Sequence, residues 1–285
     1  MRLRQRLKRR GRRALGRIVP RLREWEYAPQ GWARPEVEGW DAEGVVAAYR
    51  AKLPLLRHAV AGAEPIAMPT SVAVRESQPD VREQGSTLAF GYALALASRG
   101  SDRVSVLDWG GGLGFHSLIA RALLPAEAAI DYHCKEVAGL CEVGRELVPE
   151  VTFHEDESCL ERRYDLVLAS SSLQYSQDWA RVLERLAAAA SRYLLVNRVP
   201  VAGAHPSFVT LQRGHPYGLG TEYRSWVFNP DELVATAERA GAELVRELLV
   251  GYRPYVHGAP APVETRGFLF RRGQQPSSHD TRSAW

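Results

Sequence analysis

The sequence predicts an α/β fold, a mostly parallel sheet with helices on both faces. Three observations carry that prediction. Apolar runs of strand length recur between residues 104 and 271, segments of helical periodicity separate most of them, and the first run ends in an acidic residue and a glycine-rich turn. Strand and helix in alternation are the mark of βαβ units, and a nearly continuous apolar strand is one covered on both faces.

The first strand and its turn are Val104-Ser-Val-Leu-Asp108-Trp-Gly110-Gly-Gly112-Leu-Gly114. A chain leaving a strand this way must turn sharply and let its backbone approach a ligand, which a Cβ would obstruct. The spacing excludes the dinucleotide fingerprint Gly-x-Gly-x-x-Gly. From Gly110 and Gly112 the third glycine would fall on Phe115, and from Gly111 the second would fall on Leu113. The pattern present is Asp-x-Gly-x-Gly-x-Gly.

Phe115 to Leu124 reads as a helix, with apolar residues at 115, 118, 119 and 123 and Pro125 just beyond it. Ala129 to Lys135 is the second strand, and Glu136 closes it 28 residues after Asp108. A carboxylate at that strand end can accept hydrogen bonds from both hydroxyls of a ribose; a solvated strand-end glutamate is the other reading. Val151-Thr-Phe-His is a short third strand running into Glu155-Asp156-Glu157. Tyr164 to Ala169 is the fourth, followed by Ser170-Ser-Ser-Leu-Gln174-Tyr175. Asp178 can cap a helix over 179–190, whose alanine run suits close packing on a sheet, and Tyr193 to Asn197 supplies the fifth strand. Asn229-Pro230-Asp231-Glu232 combines a cap, a first-turn proline and two acids that match the helix dipole, so a helix runs from Pro230 to about Ala240 and stops at Gly241. Glu243 to Val250 and Gly267 to Arg271 are the last two strands, joined by the proline-rich segment 253–263.

The glycine loop with its leading Asp108 resembles the first motif of the class I S-adenosylmethionine (SAM) methyltransferases. Further segments narrow the resemblance: Ser-Ser-Leu-Gln-Tyr after the fourth strand, an Arg-x-Pro turn at Arg198 to Pro200, Phe208-Val-Thr-Leu-Gln212, and Trp226-Val-Phe-Asn229. Over about Trp25 to Arg271 these are similar to a family of bacterial methyltransferases linked to modification of surface polysaccharide or secondary metabolites. The resemblance implies a Rossmann-like, seven-stranded, mostly parallel sheet whose last two strands form an antiparallel closing pair, with an N-terminal helical addition. It also implies SAM as cofactor. Asp108, Gly110, Gly112 and Gly114 would seat the methionine end and ribose, Glu136 the ribose hydroxyls and Asp156 the adenine amino group. Ser170 would begin the loop that passes beneath the transferable methyl group. One departure stands out, because Tyr132-His-Cys-Lys precedes Glu136 where the family has an aliphatic run.

Composition agrees with an enzyme that buries a sizeable core: 285 residues, 45% of them hydrophobic. The longest apolar stretch, Leu88 to Ala97, is far short of the roughly 20 residues that span a bilayer, and no signal-peptide core follows the basic start. A cytoplasmic protein is expected, in contact with the inner membrane surface at most. Cys134, Cys141 and Cys159 form no Cys-x-x-Cys pair and are expected to be reduced, partly buried thiols. No metal is expected, since consecutive residues of His154-Glu-Asp-Glu would point to opposite faces of a strand.

The net charge of +4 misdescribes the body of the protein. Residues 1–23 carry eleven of the 37 basic residues and no acid, leaving 26 basic against 33 acidic residues in the remainder. Leu3, Leu7, Leu15, Ile18 and Leu22 fall near one helical face, so this arm reads either as a disordered tail or as a basic amphipathic helix suited to anionic lipid or to nucleic acid. The predicted organisation is a basic arm over 1–23, a helical cap over 24–98, the methyltransferase domain over 99–271 and a disordered tail over 272–285. Trp25, Tyr27, Trp32 and Trp40 crowd the cap, where they serve either as its core or as faces for a sugar ring.

The expected reaction is O-methylation of a sugar or other small bacterial metabolite, with a glycan or small molecule as acceptor. The alternatives are an RNA-associated methyltransferase that uses the basic arm, and a catalytically silent SAM-binding interaction protein. Orientation drives much of a methyl transfer, and a base is needed only where a neutral hydroxyl or amine must shed a proton. The insert over 201–227 holds His205, His215, Tyr217 and Tyr223. His205 is the candidate base, and Tyr175, Gln212 and Tyr223 are the candidate substrate residues.

Overall fold

The computed structural model describes residues 23–32, 39–66, 81–214 and 221–273; the basic arm through residue 22, His215, Tyr217 and the tail from residue 274 lie outside them. The chain enters as a short strand, β1 (Trp25–Tyr27), and then forms helix α1 (Glu43–Ala61). Val45, Tyr49, Lys52 and Leu56 recur at spacings of three and four, so they share one face of α1. Helix α2 (Val81–Ser98) follows, and Gly100, at φ 76°, turns the chain into β2 (Arg103–Trp109).

From there strand and helix alternate: α3 (Phe115–Leu123), β3 (Ala129–Lys135), α4 (Ala138–Leu147), β4 (Thr152–His154), β5 (Tyr164–Ser170), α5 (Trp179–Ala189) and β6 (Ala190–Val201). The Asp178 side chain caps α5 by accepting from the Arg181 amide. A hairpin of β7 (Phe208–Arg213) and β8 (Glu222–Val227) then precedes α6 (Pro230–Arg239), which the Asn229 side chain caps by accepting from the amides of Asp231 and Glu232. The chain closes with β9 (Ala242–Leu249), the two-residue β10 (Val256–His257) and β11 (Glu264–Arg272).

Seven strands form the main sheet in the order β4-β3-β2-β5-β6-β11-β9. The first five are parallel, and β11 runs antiparallel to both β6 and β9. The period of two along each strand builds two cores. Val104, Val106, Leu166, Leu168 and Leu195 point into a layer shared with α1 to α4, whereas Leu107, Trp109, Val167, Ala169 and Val196 meet α5 and α6 on the other face. The three cysteines are buried and free, and no helix among the described residues is long and apolar enough to cross a membrane.

A second sheet stands where only an insert was expected. Its four strands run β10-β1-β7-β8, and a bridge from Val201 to Phe228 ties the foot of the hairpin to the end of β6. The N-terminal addition is therefore not wholly helical, because β1 pairs with β7 and β10. The fifth strand is also longer than its apolar run, since Ala190 to Arg192 and Arg198 to Val201 extend it at either end.

Candidate functional site

The parallel strands β2, β3, β4, β5 and β6 all end on one side of the sheet, the position where open α/β sheets bind ligands. Here the glycine loop leaves β2. Gly110 and Gly112 both have left-handed backbones, with φ of 72° and 63°. Each also lacks room for a side chain: a Cβ on Gly110 would lie 2.4 Å from the Ser172 Cβ, and one on Gly112 would lie 2.4 Å from the Tyr49 ring. The loop is thus pressed between the turn after β5 and helix α1. The Ser172 hydroxyl reinforces this by donating to the Trp109 carbonyl at 2.5 Å.

Glu136 sits against that loop. Its carboxylate accepts from the Gly112 amide at 3.0 Å and from the Val137 amide at 2.8 Å. Burial pushes its pKa up, against the opposing pull of those two amides. A carboxylate offers about four acceptor positions; two are taken, and two remain for the hydroxyls of a ribose. The residues present therefore fit the nucleoside of SAM.

Asp108 is fully buried beneath the loop. One carboxylate oxygen accepts from the Tyr132 hydroxyl at 3.0 Å and from His116 Nδ1 at 2.9 Å, while the other, Oδ1, is buried without a partner. This explains the departure in the second strand, because the place of an aliphatic residue is taken by the phenol that holds Asp108. The unpaired Oδ1 is an acceptor that a bound ammonium would satisfy. Ser170, at the end of β5, likewise keeps a buried hydroxyl without a partner. Asp156 is exposed, and its side chain accepts from the Ser158 amide at 2.9 Å; those contacts with Ser158 hold its pKa below the usual range. One Asp156 oxygen remains for an exocyclic amine.

The three candidate substrate residues come together. The Tyr175 hydroxyl donates to Gln212 Oε1 at 2.8 Å, Gln212 is the cross-strand partner of Tyr223, and the Tyr175 and Tyr223 rings lie 5.9 Å apart. Trp40 completes this aromatic wall at 4.9 Å from Tyr175 and 4.4 Å from Tyr223. Burial pushes the Tyr175 phenol up to about 12 and raises the Tyr223 phenol as well, so both stay protonated at neutral pH. Of the other aromatic residues, Trp25 belongs to a small core under the second sheet and Trp32 stacks on Trp226.

His205 is not part of this group. It precedes β7 at the end paired with Val227, packs edge-on against Phe208 and donates Nδ1 to the Pro206 carbonyl. Four residue steps along β7, about 13 Å at the rise of an extended chain, separate Phe208 from Gln212.

Three residues at the site carried no role in the sequence reading. Tyr49 covers Gly112 and stacks on Phe115 at 5.6 Å, Lys52 lies one turn further along α1, and Arg198 ends the visible apolar run of β6. Tyr49 and Lys52 had a signal, since both interrupt the apolar stripe begun by Val45 and Leu56.

A family model described as a methyltransferase domain matches residues 81–247, more than half of the chain and all of the glycine loop. No curated protein matches it. Similar solved structures include magnesium protoporphyrin IX methyltransferase from Synechocystis PCC 6803 with bound SAM, at 14% identity and a TM-score of 0.45 over 70% of this chain and 87% of that one. The sugar N-methyltransferase KedS8 from Streptoalloteichus sp ATCC 53650 is similar at 15% identity and a TM-score of 0.43 over 67% of this chain and 87% of that one. The family match begins at the first residue of α2, so that helix lies within the matched domain. The chain belongs to this methyltransferase-domain family and is a SAM-dependent methyltransferase.

Proposed function

We propose that this methyltransferase methylates a hydroxyl of a sugar or similar small bacterial metabolite, held against the wall of Trp40, Tyr175 and Tyr223. The observation that carries the reading is the Tyr175–Gln212 hydrogen bond set within that wall. Flat aromatic faces with a few convergent polar groups suit a ring that is apolar on its faces and hydroxylated at its rim.

In this reading Asp108 and the loop of Gly110, Gly112 and Gly114 hold the methionine end of SAM. Glu136 accepts from the ribose hydroxyls, Asp156 takes the adenine amine, and Ser170 lines the floor. When bound, SAM supplies an electrophilic methyl group on a sulfonium. The rest of the work is positioning. With its proton committed to Gln212, the Tyr175 oxygen is left as an acceptor for the acceptor's hydroxyl proton, and Gln212 keeps its amide donors for a neighbouring oxygen. Tyr175 orients the hydroxyl without taking its proton, because a pKa raised to about 12 keeps the phenol protonated at neutral pH; the hydroxyl proton leaves to water as the methyl group is transferred. Residues 39–66 act as a cover of the catalytic domain, since Trp40 and Tyr49 both come from that segment.

The test is transfer of labelled methyl from SAM to a panel of monosaccharides and their glycosides, by the wild type and by Tyr175→Phe. The expected result is product with at least one sugar, with kcat/KM lowered about fivefold in the variant for the loss of about 1 kcal/mol, and SAM affinity unchanged. SAM binding that weakens in step with turnover would place Tyr175 in the cofactor site instead and remove the basis for the sugar reading.

A further inference from the structure

The wall of Trp40, Tyr175 and Tyr223 adjoins an arginine that the proposed reaction leaves unused. Where β6 pairs with β11, the register passes from Val199 opposite Arg266 to Val196 opposite Phe268, so Asn197 and Arg198 together face Gly267. That is a β-bulge, the device by which a strand re-aims one side chain. Arg198 sits at φ 58°, a backbone region that a long side chain rarely adopts. The fold holds it there: the buried Asn197 side chain accepts from the Arg198 amide at 3.0 Å and donates to the carbonyl and hydroxyl of Ser86. Gly267 leaves room for this arrangement, since a Cβ there would fall 2.6 Å from Asn197 Oδ1. Ser171, at the end of the adjacent β5, also has φ 58°, and its amide donates to the Asn197 carbonyl. Strained residues side by side at the carboxyl ends of neighbouring parallel strands mark a functional position.

The Arg198 guanidinium is half-buried and makes no hydrogen bond or ion pair with a described residue. The groups that act on it are Tyr49 and Tyr175, from the two sides of the site, and Glu83 of α2. Lys52, only 3% exposed, adds a second positive charge whose field reaches Arg198. Among the described residues, Glu83 is the carboxylate whose field reaches Arg198. A half-buried guanidinium without a hydrogen-bond or ion-pair partner among the described residues is stabilised by a bound anion, and its planar fork matches a carboxylate or phosphate in two parallel hydrogen bonds. A neutral acceptor would leave that fork unmatched.

We propose that the methyl acceptor carries an oxyanion, a carboxylate or a phosphate, which Arg198 binds beside the aromatic wall while Lys52 reinforces the field. This rests on the acceptor-pocket reading above and deepens it to a charged acceptor.

Inorganic phosphate and acetate are the probes. The full chain, loaded with S-adenosylhomocysteine (SAH), is titrated with each at constant ionic strength, alongside Arg198→Asn and Arg198→Lys. Asparagine tolerates the left-handed backbone, so the first variant removes the charge and keeps the bulge. The expected result is saturable binding of one or both anions, weakened at least about tenfold in Arg198→Asn and partly kept in Arg198→Lys, with SAH affinity equal in all three proteins. Preference for phosphate or for acetate then tells a phosphorylated acceptor from a carboxylated one. Anion binding that Arg198→Asn leaves unchanged, or no saturable binding to a wild type that holds SAH, overturns this proposal alone. A wild type that does not bind SAH overturns the cofactor assignment and this proposal with it.

Discussion

Lys52 shows how a single buried charge sets both stability and chemistry. Burial, aided by Arg198 of β6 and opposed by Glu83 of α2, lowers its pKa from the usual 10.5 to about 8; the Tyr49 ring lies 5.0 Å from the ammonium on the same helix. A lysine with a lowered folded-state pKa binds fewer protons in the native than in the unfolded chain between pH 8 and 10.5. Stability therefore rises with pH through that window, and the cost of the buried charge is fully present below it. Lys52→Met is expected to raise the urea midpoint at pH 7, and the gain is expected to shrink as pH approaches 10. A gain independent of pH would mean that packing rather than charge is responsible. The places of Asp108 and Glu136 at the ends of β2 and β3 were legible because they depend only on neighbouring residues in the chain. Lys52 and Arg198 were not, since their meaning depends on contacts between residues far apart in the chain.

The glycine loop, α1 and the hairpin of β7 and β8 together make the candidate site. The loop could be read at once, because its spacing both excluded a dinucleotide turn and fixed where helix α3 begins. The strands β2 to β6 were legible from their apolar runs, but the ends of β6 were missed where Ser191, Arg192 and Arg198 break the pattern. The second sheet was missed for a related reason. Phe208 to Gln212 and Trp226 to Asn229 were recognised as motifs, yet β1 and β10 are too short, at three and two residues, to show a period of their own. What the loop demands of glycine can be measured. Gly112→Ala places a methyl against the Tyr49 ring on a left-handed backbone, which costs about 1–2 kcal/mol for the backbone alone. The expected outcome is a lowered melting temperature together with weakened SAM binding. A variant with wild-type stability and affinity would show that α1 does not press on the loop.

Across the whole molecule, charge is split between a basic arm and an acidic body, and the matched methyltransferase domain belongs to the body. Arg23 is the last basic residue of the arm, and it is tied to the fold through Glu26 of β1. Removing residues 1–22 therefore spares β1 and is expected to leave SAM affinity and small-molecule turnover within about twofold of the full chain, inside the range of surface changes. Activity on RNA that collapses on this deletion, with a steep dependence on salt, would favour the RNA-associated alternative. Calorimetric titration of the full chain with SAM, with NAD in parallel and Glu136→Gln as the control, tests the cofactor assignment most directly. A single saturable SAM site, no response to NAD and an affinity about tenfold weaker in the variant is the predicted result. Binding of NAD, or SAM binding indifferent to Glu136→Gln, would contradict it.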